Sequence, residues 1–326
     1  MNPPATPLRI GTRSSALALW QTERIRELLQ NAGYETERVE IKTTGDLAPE
    51  VPLARLGSRA IFTKQIDDAL IQGRIDLAVH SLKDLPTQLP PEIAIGAMGP
   101  REDPRDALVG RTRVRWDDLP DSAVVATSSL RRRAQLLHLR PVARVVELRG
   151  NVDTRLAKLD AHPEWHAIIL ATAGLVRLGL DQRIGERLPV EVILPAPGQG
   201  ALAVTVRSDD DAVAAVVRRA IHQPDAAIAV AAERAFLRHL EGGCQVPVAA
   251  YAEPTGEGRK LSLRLHGRVV SLDGETMIEG MEVGSVEDEE AARALGSTLA
   301  QRLLAQGAGS ILTDARAASL PLVTEP

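Results

Sequence analysis

The chain's single cysteine, Cys244, sits in Glu241-Gly242-Gly243-Cys244-Gln245-Val246-Pro247. The two glycines remove side chains on one approach to the sulfur and allow backbone angles closed to other residues. Pro247 restricts how the chain leaves the turn. A lone cysteine has no partner for an internal disulfide and no companion for a metal cluster. Locally two readings stand: a small buried apolar residue, or an exposed thiol with space around it. Basic turns accompany it. Thr12-Arg13-Ser14-Ser15, His80-Ser81-Leu82-Lys83-Asp84, Thr127-Ser128-Ser129-Leu130-Arg131-Arg132-Arg133 and Leu148-Arg149-Gly150-Asn151-Val152-Asp153-Thr154-Arg155 each combine polar and cationic side chains at an expected strand-to-helix turn. Helix N-terminal amides in such turns hold anions, and a guanidinium meets a carboxylate or phosphate at two points. One arginine is usually a solvated surface charge; the succession of turns implies a ligand with several negative groups. Asp84 breaks the basic pattern. It is either a partner or cap beside Lys83, or a carboxylate that stabilises positive charge developing on a substrate.

The elements that position these residues follow from periodicity. Leu8–Gly11 reads as a strand, followed by a helix from Ala16 toward Ala32 that Ser14 or Ser15 caps and Gly33 closes. Glu35–Lys42 alternates as a strand. The stretch from Thr43 to Ser58, rich in Gly, Pro and charge, reads as a long loop, a class that serves as lid, binding segment or disordered linker. A helix near Thr63–Gln72 and an apolar strand over Asp76–His80 come next. Gly99–Pro104 has the composition of a linker. A second alternating series contains strands at Val124–Ala126, Val145–Leu148 and Ala167–Leu170, with a helix starting at Ser128 or Ser129 and another near Val152. Pro195–Gly198 marks a second crossing, after which Ala201–Val206 reads as a strand returning to the first region. A helix over Asp225–Leu240 leads to Cys244. Strands near Val246–Tyr251, Leu261–Val270 and Thr276–Val283 and a final helix over Ser285–Ala305 complete the pattern. The expected fold is α/β, with two lobes flanking a cleft and a small α+β C-terminal domain. The first lobe takes residues 1–100 and 200–220, the second 101–199, and the C-terminal domain 221–326. Ligands in such sheets bind beyond the carboxyl ends of strands.

Composition narrows the function. The 326 residues suffice for two or three domains. Aromatics are scarce at 2%, so Val, Ile, Leu and Ala must fill the cores. The formal net charge of -4 opposes a general nucleic-acid binder, which wants basic surface and aromatic stacking platforms. No apolar run is long enough to span a membrane. Met1–Pro7 lacks the basic and apolar regions of a signal peptide, so a reduced cytoplasmic location is the expectation. His162 and His166 have helical metal spacing, but Pro163 lies between them and no third ligand is evident, so no metal is expected. Asp209-Asp210-Asp211 reads as a helix cap. Neither a phosphate-binding P-loop nor a dinucleotide fingerprint is present.

Taken together these stretches resemble the porphobilinogen deaminase family, also called hydroxymethylbilane synthases. The resemblance rests on Thr12–Gln21, Ala78–Pro86, Arg101–Ala107, Thr127–Arg132, Leu148–Val152, Leu194–Gly200 and Leu240–Pro247, in order along nearly the whole chain. It implies two periplasmic-binding-protein-like lobes and a third domain carrying the cysteine. It implies a dipyrromethane cofactor, joined to Cys244 through a thioether. The implied reaction deaminates porphobilinogen, adds four pyrrole units in sequence and releases hydroxymethylbilane by hydrolysis, in a monomer. By the same resemblance Asp84 is catalytic and also touches the cofactor. Lys83, Ser81, Ser129, Arg131 and Arg132 hold cofactor carboxylates. Arg13, Ser15, Thr127, Ser128, Arg149, Arg155, Arg177 and Gln199 hold the incoming ring. Arg59, Phe62 and Lys64 belong to a lid. The family pattern Gly-Lys-Gly-Leu-Phe reads here as Ser58-Arg59-Ala60-Ile61-Phe62, so the lid hinge departs from the pattern. A two-lobed, non-enzymatic binding protein for a small anion would explain the lobes and arginines, but not Gly242-Gly243-Cys244.

Overall fold

The computed structural model describes residues 6–43, 63–240, 246–255 and 261–319. Cys244, Arg59, Phe62 and the expected loop beyond Thr43 lie outside the described residues.

The first lobe begins with strand β1 (Leu8–Thr12), helix α1 (Ala16–Asn31), β2 (Thr36–Glu40), α2 (Lys64–Ile71), β3 (Leu77–Ser81) and β4 (Ile93–Arg101). Ser15 caps α1, its hydroxyl accepting from Ala18 N–H, and Gly33 takes a positive φ after the last turn. The chain crosses into the second lobe at β5 (Asp106–Val109). There follow β6 (Val124–Ala126), α3 (Leu130–Leu139), β7 (Arg144–Val146), α4 (Val152–Ala161), β8 (Ala167–Ala171), the short α5 (Thr172–Arg177) and β9 (Glu186–Arg187). It returns with β10 (Ala201–Arg207) and α6 (Asp211–Ile221), which Asp210 caps.

Both five-stranded sheets share one plan, β2-β1-β3-β10-β4 and β7-β6-β8-β5-β9. In each, three neighbouring strands are parallel, and an antiparallel strand follows in fourth place. In the first sheet that fourth strand is β10, as expected for a strand that returns. The inner parallel strands β3 and β8 are apolar and buried on both faces, as helices on either side require, whereas the edge strands β2 and β7 carry exposed polar residues. Separate clusters of Val, Ile, Leu and Ala lie on the two faces of the second sheet.

Helix α7 (Pro224–His239) leads into an antiparallel sheet of β11 (Val248–Thr255), β12 (Leu261–Val270) and β13 (Met277–Val286). With α8 (Glu289–Leu303) it closes a core around fully buried Phe236. Three expectations are corrected here. Gly99–Arg101 is the end of β4, not linker. Its glycines and proline hide the strand pattern, but Gly99 and Gly96 leave room for Leu202, Val206 and Val217. The last helix starts at Glu289, because 285–286 still pair with β12 and Asp288 caps the helix. A further helix, α9 (Gly309–Ser319), follows after a turn at Gly307.

The two crossings run side by side. Glu102 N–H donates to Gly200 O at 3.0 Å, and Arg101 Nε to Gln199 O at 3.1 Å. Gly200 has φ +88°, and a Cβ there would stand 2.3 Å from the Glu102 carbonyl oxygen, so this contact requires glycine.

Candidate active site

The basic turns all leave the carboxyl ends of parallel strands: β1, β3, β6 and β7. Local hydrogen bonds shape each one. After β1, Thr12 is buried with its hydroxyl on Ala18 O, Ser15 caps α1, and Arg13 is half-buried. After β3, the Ser81 hydroxyl accepts from Gln21 Nε2 at 2.8 Å, and Leu82–Asp84 forms a single 3-10 turn that leaves Asp84 exposed. After β6, Thr127 Oγ1 accepts from Ser129 N–H, and Ser129 caps α3. Ser128 ties this turn to the next, donating to Leu148 O at 2.7 Å and accepting from Leu148 N–H at 3.0 Å. After β7, Arg149 is half-buried, and Arg155 Nε donates to Gly150 O at 2.7 Å.

Between the lobes stands a residue the sequence reading assigned no role. Asp106, fully buried at the start of β5, accepts from Arg131 at 2.7 Å, from Arg132 at 2.6 and 3.0 Å, and from Gln199 Nε2 at 2.9 Å. Burial alone would raise its carboxyl, but the two guanidinium charges and their hydrogen bonds overcome that and hold it well below the ordinary carboxylate range. Arg131 and Arg132 are therefore not solvent-facing forks. They also donate to the Leu194 and Ile169 carbonyls. Gln199, equally buried, donates to Pro104 O and accepts from Lys83 Nζ at 3.2 Å, which links the first lobe to this cluster. The signal that could have marked Asp106 is a carboxylate opening an apolar strand, Asp106-Ala107-Leu108-Val109.

Charge from both lobes meets here. Burial, then Arg132, pushes the Lys83 amine down to about 8, with Asp84 and Asp106 acting in the opposite sense. Burial, then Arg132 and Arg149, lowers Arg155 to about 10, opposed by Asp84. His80, on β3, is pushed down to about 4 by burial and Arg13, so its imidazole is neutral near pH 7, with Nε2 3.1 Å from Thr205 Oγ1. Arg177 donates to Gly200 O at 2.6 Å and lies over the Trp20 ring at 5.6 Å, joining α5 of one lobe to α1 of the other. Lys64, exposed, opens α2 and touches none of this cluster among the described contacts.

The donor set fits a polycarboxylate. Lys83, Arg131, Arg132, Arg149 and Arg155 outnumber Asp84 and Asp106, and burial with Arg132 depresses the Lys83 amine despite both carboxylates. Thr172, at the start of α5, has a buried hydroxyl with no hydrogen-bond partner. Among the described residues no helix is long and apolar enough to cross a membrane.

Comparison with known proteins agrees with this chemistry. Residues 8–215 match the family model "Porphobilinogen deaminase, dipyromethane cofactor binding domain", and 227–305 match "Porphobilinogen deaminase, C-terminal domain". The porphobilinogen deaminase of Moorella thermoacetica is 49% identical over 96% of this chain and 97% of that protein. That of Rubrobacter xylanophilus is 50% identical over 94% and 96%. Among solved structures, the methionine-binding protein MetQ is similar with a TM-score of 0.43 and 13% identity, over 65% of this chain and 89% of that one. With matches along both lobes and the C-terminal domain, and close to half of all residues shared with full-length relatives, the chain belongs to the porphobilinogen deaminase family, transferases of tetrapyrrole biosynthesis built on a dipyrromethane cofactor.

Proposed function

We propose that this enzyme condenses four porphobilinogen molecules, head to tail and with loss of ammonia, onto a dipyrromethane joined by a thioether to Cys244, and then releases hydroxymethylbilane by hydrolysis. The observation that carries this reading is the cationic cluster at the join of the lobes, where Lys83 and Arg155 both feel the exposed carboxylate Asp84, and their neighbours Arg132, Arg131 and Arg149 add further positive charge. Each pyrrole ring brings an acetate and a propionate, so a growing chain gathers carboxylates that such a cluster can hold. When bound, the dipyrromethane supplies the pyrrole carbon to which the new ring is joined.

The chain's own residues divide the remaining work. Lys83, Ser81, Ser129, Arg131 and Arg132 hold cofactor carboxylates, the two arginines through N–H groups beyond those turned to Asp106. Arg13, Ser15, Thr127, Arg149 and Arg155 orient the incoming ring. Ser128, Arg177 and Gln199, whose polar groups are engaged within the protein, act by keeping the turns and crossings in place. Asp84 stabilises the positive charge that develops on porphobilinogen as ammonia leaves. The lobes take 1–100 with 200–220 and 101–199, and the cysteine-bearing domain 221–326, divisions that the separate sheets support. The same reading makes the enzyme a cytoplasmic monomer, in a compartment that keeps a lone thiol reduced until it is alkylated.

Intact mass tests the attachment and kinetics the catalyst. Wild-type protein should exceed its sequence mass by one dipyrromethane, and Cys244→Ser should lack the increment. Asp84→Asn, loaded with cofactor by the same measurement, should turn over about a hundred- to a thousandfold more slowly. Active wild-type enzyme at the bare sequence mass would refute the thioether. Loaded Asp84→Asn working near the wild-type rate would remove Asp84 from catalysis.

A further inference from the structure

Away from the cleft, a groove of about 1140 Å3 runs between the edge of the first lobe and helices α7 and α8 of the C-terminal domain. Its floor is aliphatic: half-buried Ile95 of β4, with Ala97 and Met98 of β4 and Ala227, Val230 and Ala231 of α7 largely buried around it. Its rim is basic. Arg218 comes from the last turn of α6, Arg234 and Arg238 from α7, and Arg293 from α8. Residues 227, 230, 231, 234, 235 and 238 fall on one face of α7 at helical spacing, so small apolar side chains give way to arginines along a single stripe.

The rim charges are not equivalent. Arg293 is paired with Glu289 at 2.8 Å and Glu290 at 3.1 Å, which also neutralises the groove's acidic lining residue, Glu289. Arg234 donates to the Pro86 carbonyl at 2.8 Å. Arg218 and Arg238 are exposed, and among the described residues no carboxylate stands within ion-pair distance of either. An arginine in a last helical turn complements the helix dipole, which gives both residues a ligand-free purpose. That purpose does not explain why both line one concave, apolar-floored groove. Nor is the groove a place for an added strand. β4 is the sheet edge, but Met98 N–H already donates to His222 Nδ1 at 3.4 Å, and Gln223 N–H donates to Met98 O at 2.8 Å. The free edge is closed at Met98, which interrupts an added strand at that point and favours a small molecule in the volume.

We propose that this groove is a second binding site, for a small organic dianion with an apolar body: its acidic groups on Arg218 and Arg238, its frame on the floor between β4 and α7. Burial of the frame supplies affinity, and the two guanidiniums select anions. None of the rim and floor residues belongs to the proposed active site, so this site and the deaminase reading stand or fall separately.

The probe is bis-ANS, which carries two sulfonates on an apolar frame and fluoresces when that frame leaves water. Titration of the cofactor-loaded enzyme should include one equivalent that survives Arg149→Glu in the cleft. In that background Arg218→Glu with Arg238→Glu, both exposed and expected to fold, should weaken it by roughly tenfold or more. Ala235→Trp, which fills the groove without changing charge, should weaken it comparably, and inorganic pyrophosphate, dianionic or more but without a frame, should compete poorly. Binding lost only in Arg149→Glu would assign the dye to the cleft and overturn the proposal. So would binding indifferent to Ala235→Trp and displaced by pyrophosphate, which would mark a bare charge patch. No binding at all would leave Arg218 and Arg238 as dipole partners, against the proposal.

Discussion

Asp106 shows why the basic turns of this chain differ so much once folded. A buried carboxylate is stable as an anion only when charge and hydrogen bonds surround it, and Arg131, Arg132 and Gln199 do so. Lys83, one hydrogen bond further out, receives only part of that compensation. Its amine, at about 8, lies below the ordinary 10.5. A lysine depressed in this way destabilises the cofactor-free fold below its folded value. Between about 8 and 10.5 the unfolded chain binds a proton the folded chain has released, so stability rises with pH across that window. Lys83→Met should therefore be more stable than the parent at neutral pH, and lose that advantage as pH climbs toward 10.5. Urea unfolding of both cofactor-free proteins across the window measures the gap, and a gap independent of pH would refute the assignment. A carboxylate docking on Lys83 would act in the opposite sense and restore its charge.

At the scale of elements, the site is a set of helix starts. Ser15 and Ser129 cap α1 and α3 three residues after β1 and β6 end, so a short polar turn carries each strand directly into a helix start. The C-terminal domain depends instead on how closely two helices approach. Gly296 of α8 lies against α7, and a Cβ there would stand 2.2 Å from the Ala232 carbonyl oxygen and 3.0 Å from Phe236 N. Those neighbours are backbone and cannot turn aside. Gly296→Ala should force the helices apart over the Phe236 core and cost about 1–3 kcal/mol, the usual range for overpacking. Chemical denaturation reads this directly. Parent-like stability would mean that α8 slides without penalty.

For the whole molecule, one side chain holds three parts together. Glu233 of α7 is fully buried. It accepts from Arg101 at 2.7 and 3.1 Å at the first crossing, from Gly198 N–H at 2.7 Å at the second, and from Ala252 N–H at 2.8 Å in β11. Both hinges of the lobes are thereby fastened to the C-terminal domain, and Arg101 also lies over the Tyr251 ring at 5.2 Å. Glu233→Gln keeps the shape and removes the charge, leaving Arg101 mostly buried without its anion. Breaking a buried pair in this way costs about 3–5 kcal/mol. Calorimetry should show the C-terminal domain melting separately from the lobes, since the term that couples them is weakened. A single transition at the parent's Tm would show that the domains are joined by other contacts.

Local signals were enough for much of this protein. Helix α1, expected from Ala16 toward Ala32, spans Ala16–Asn31, and α7, expected over Asp225–Leu240, spans Pro224–His239. Apolar spacing and capping residues act within a few positions of one another, so they are legible in the chain itself. The same holds for the basic turns and for β10 returning to the first sheet, where short apolar strands end in hydroxyls and arginines. Strand β4 was hidden because Gly96, Gly99 and Pro100 interrupt its pattern for the sake of side chains contributed by distant elements. Asp106 and Glu233 were hidden for a related reason. Whether a carboxylate is a surface charge or the centre of a buried cluster depends on partners far along the chain, Arg131 and Gln199 for one, Arg101 and Gly198 for the other. The residue types at the site were thus set by the sequence, while the direction each arginine faces was decided by tertiary structure, because burying a charge is favourable only where folding brings its counter-charge.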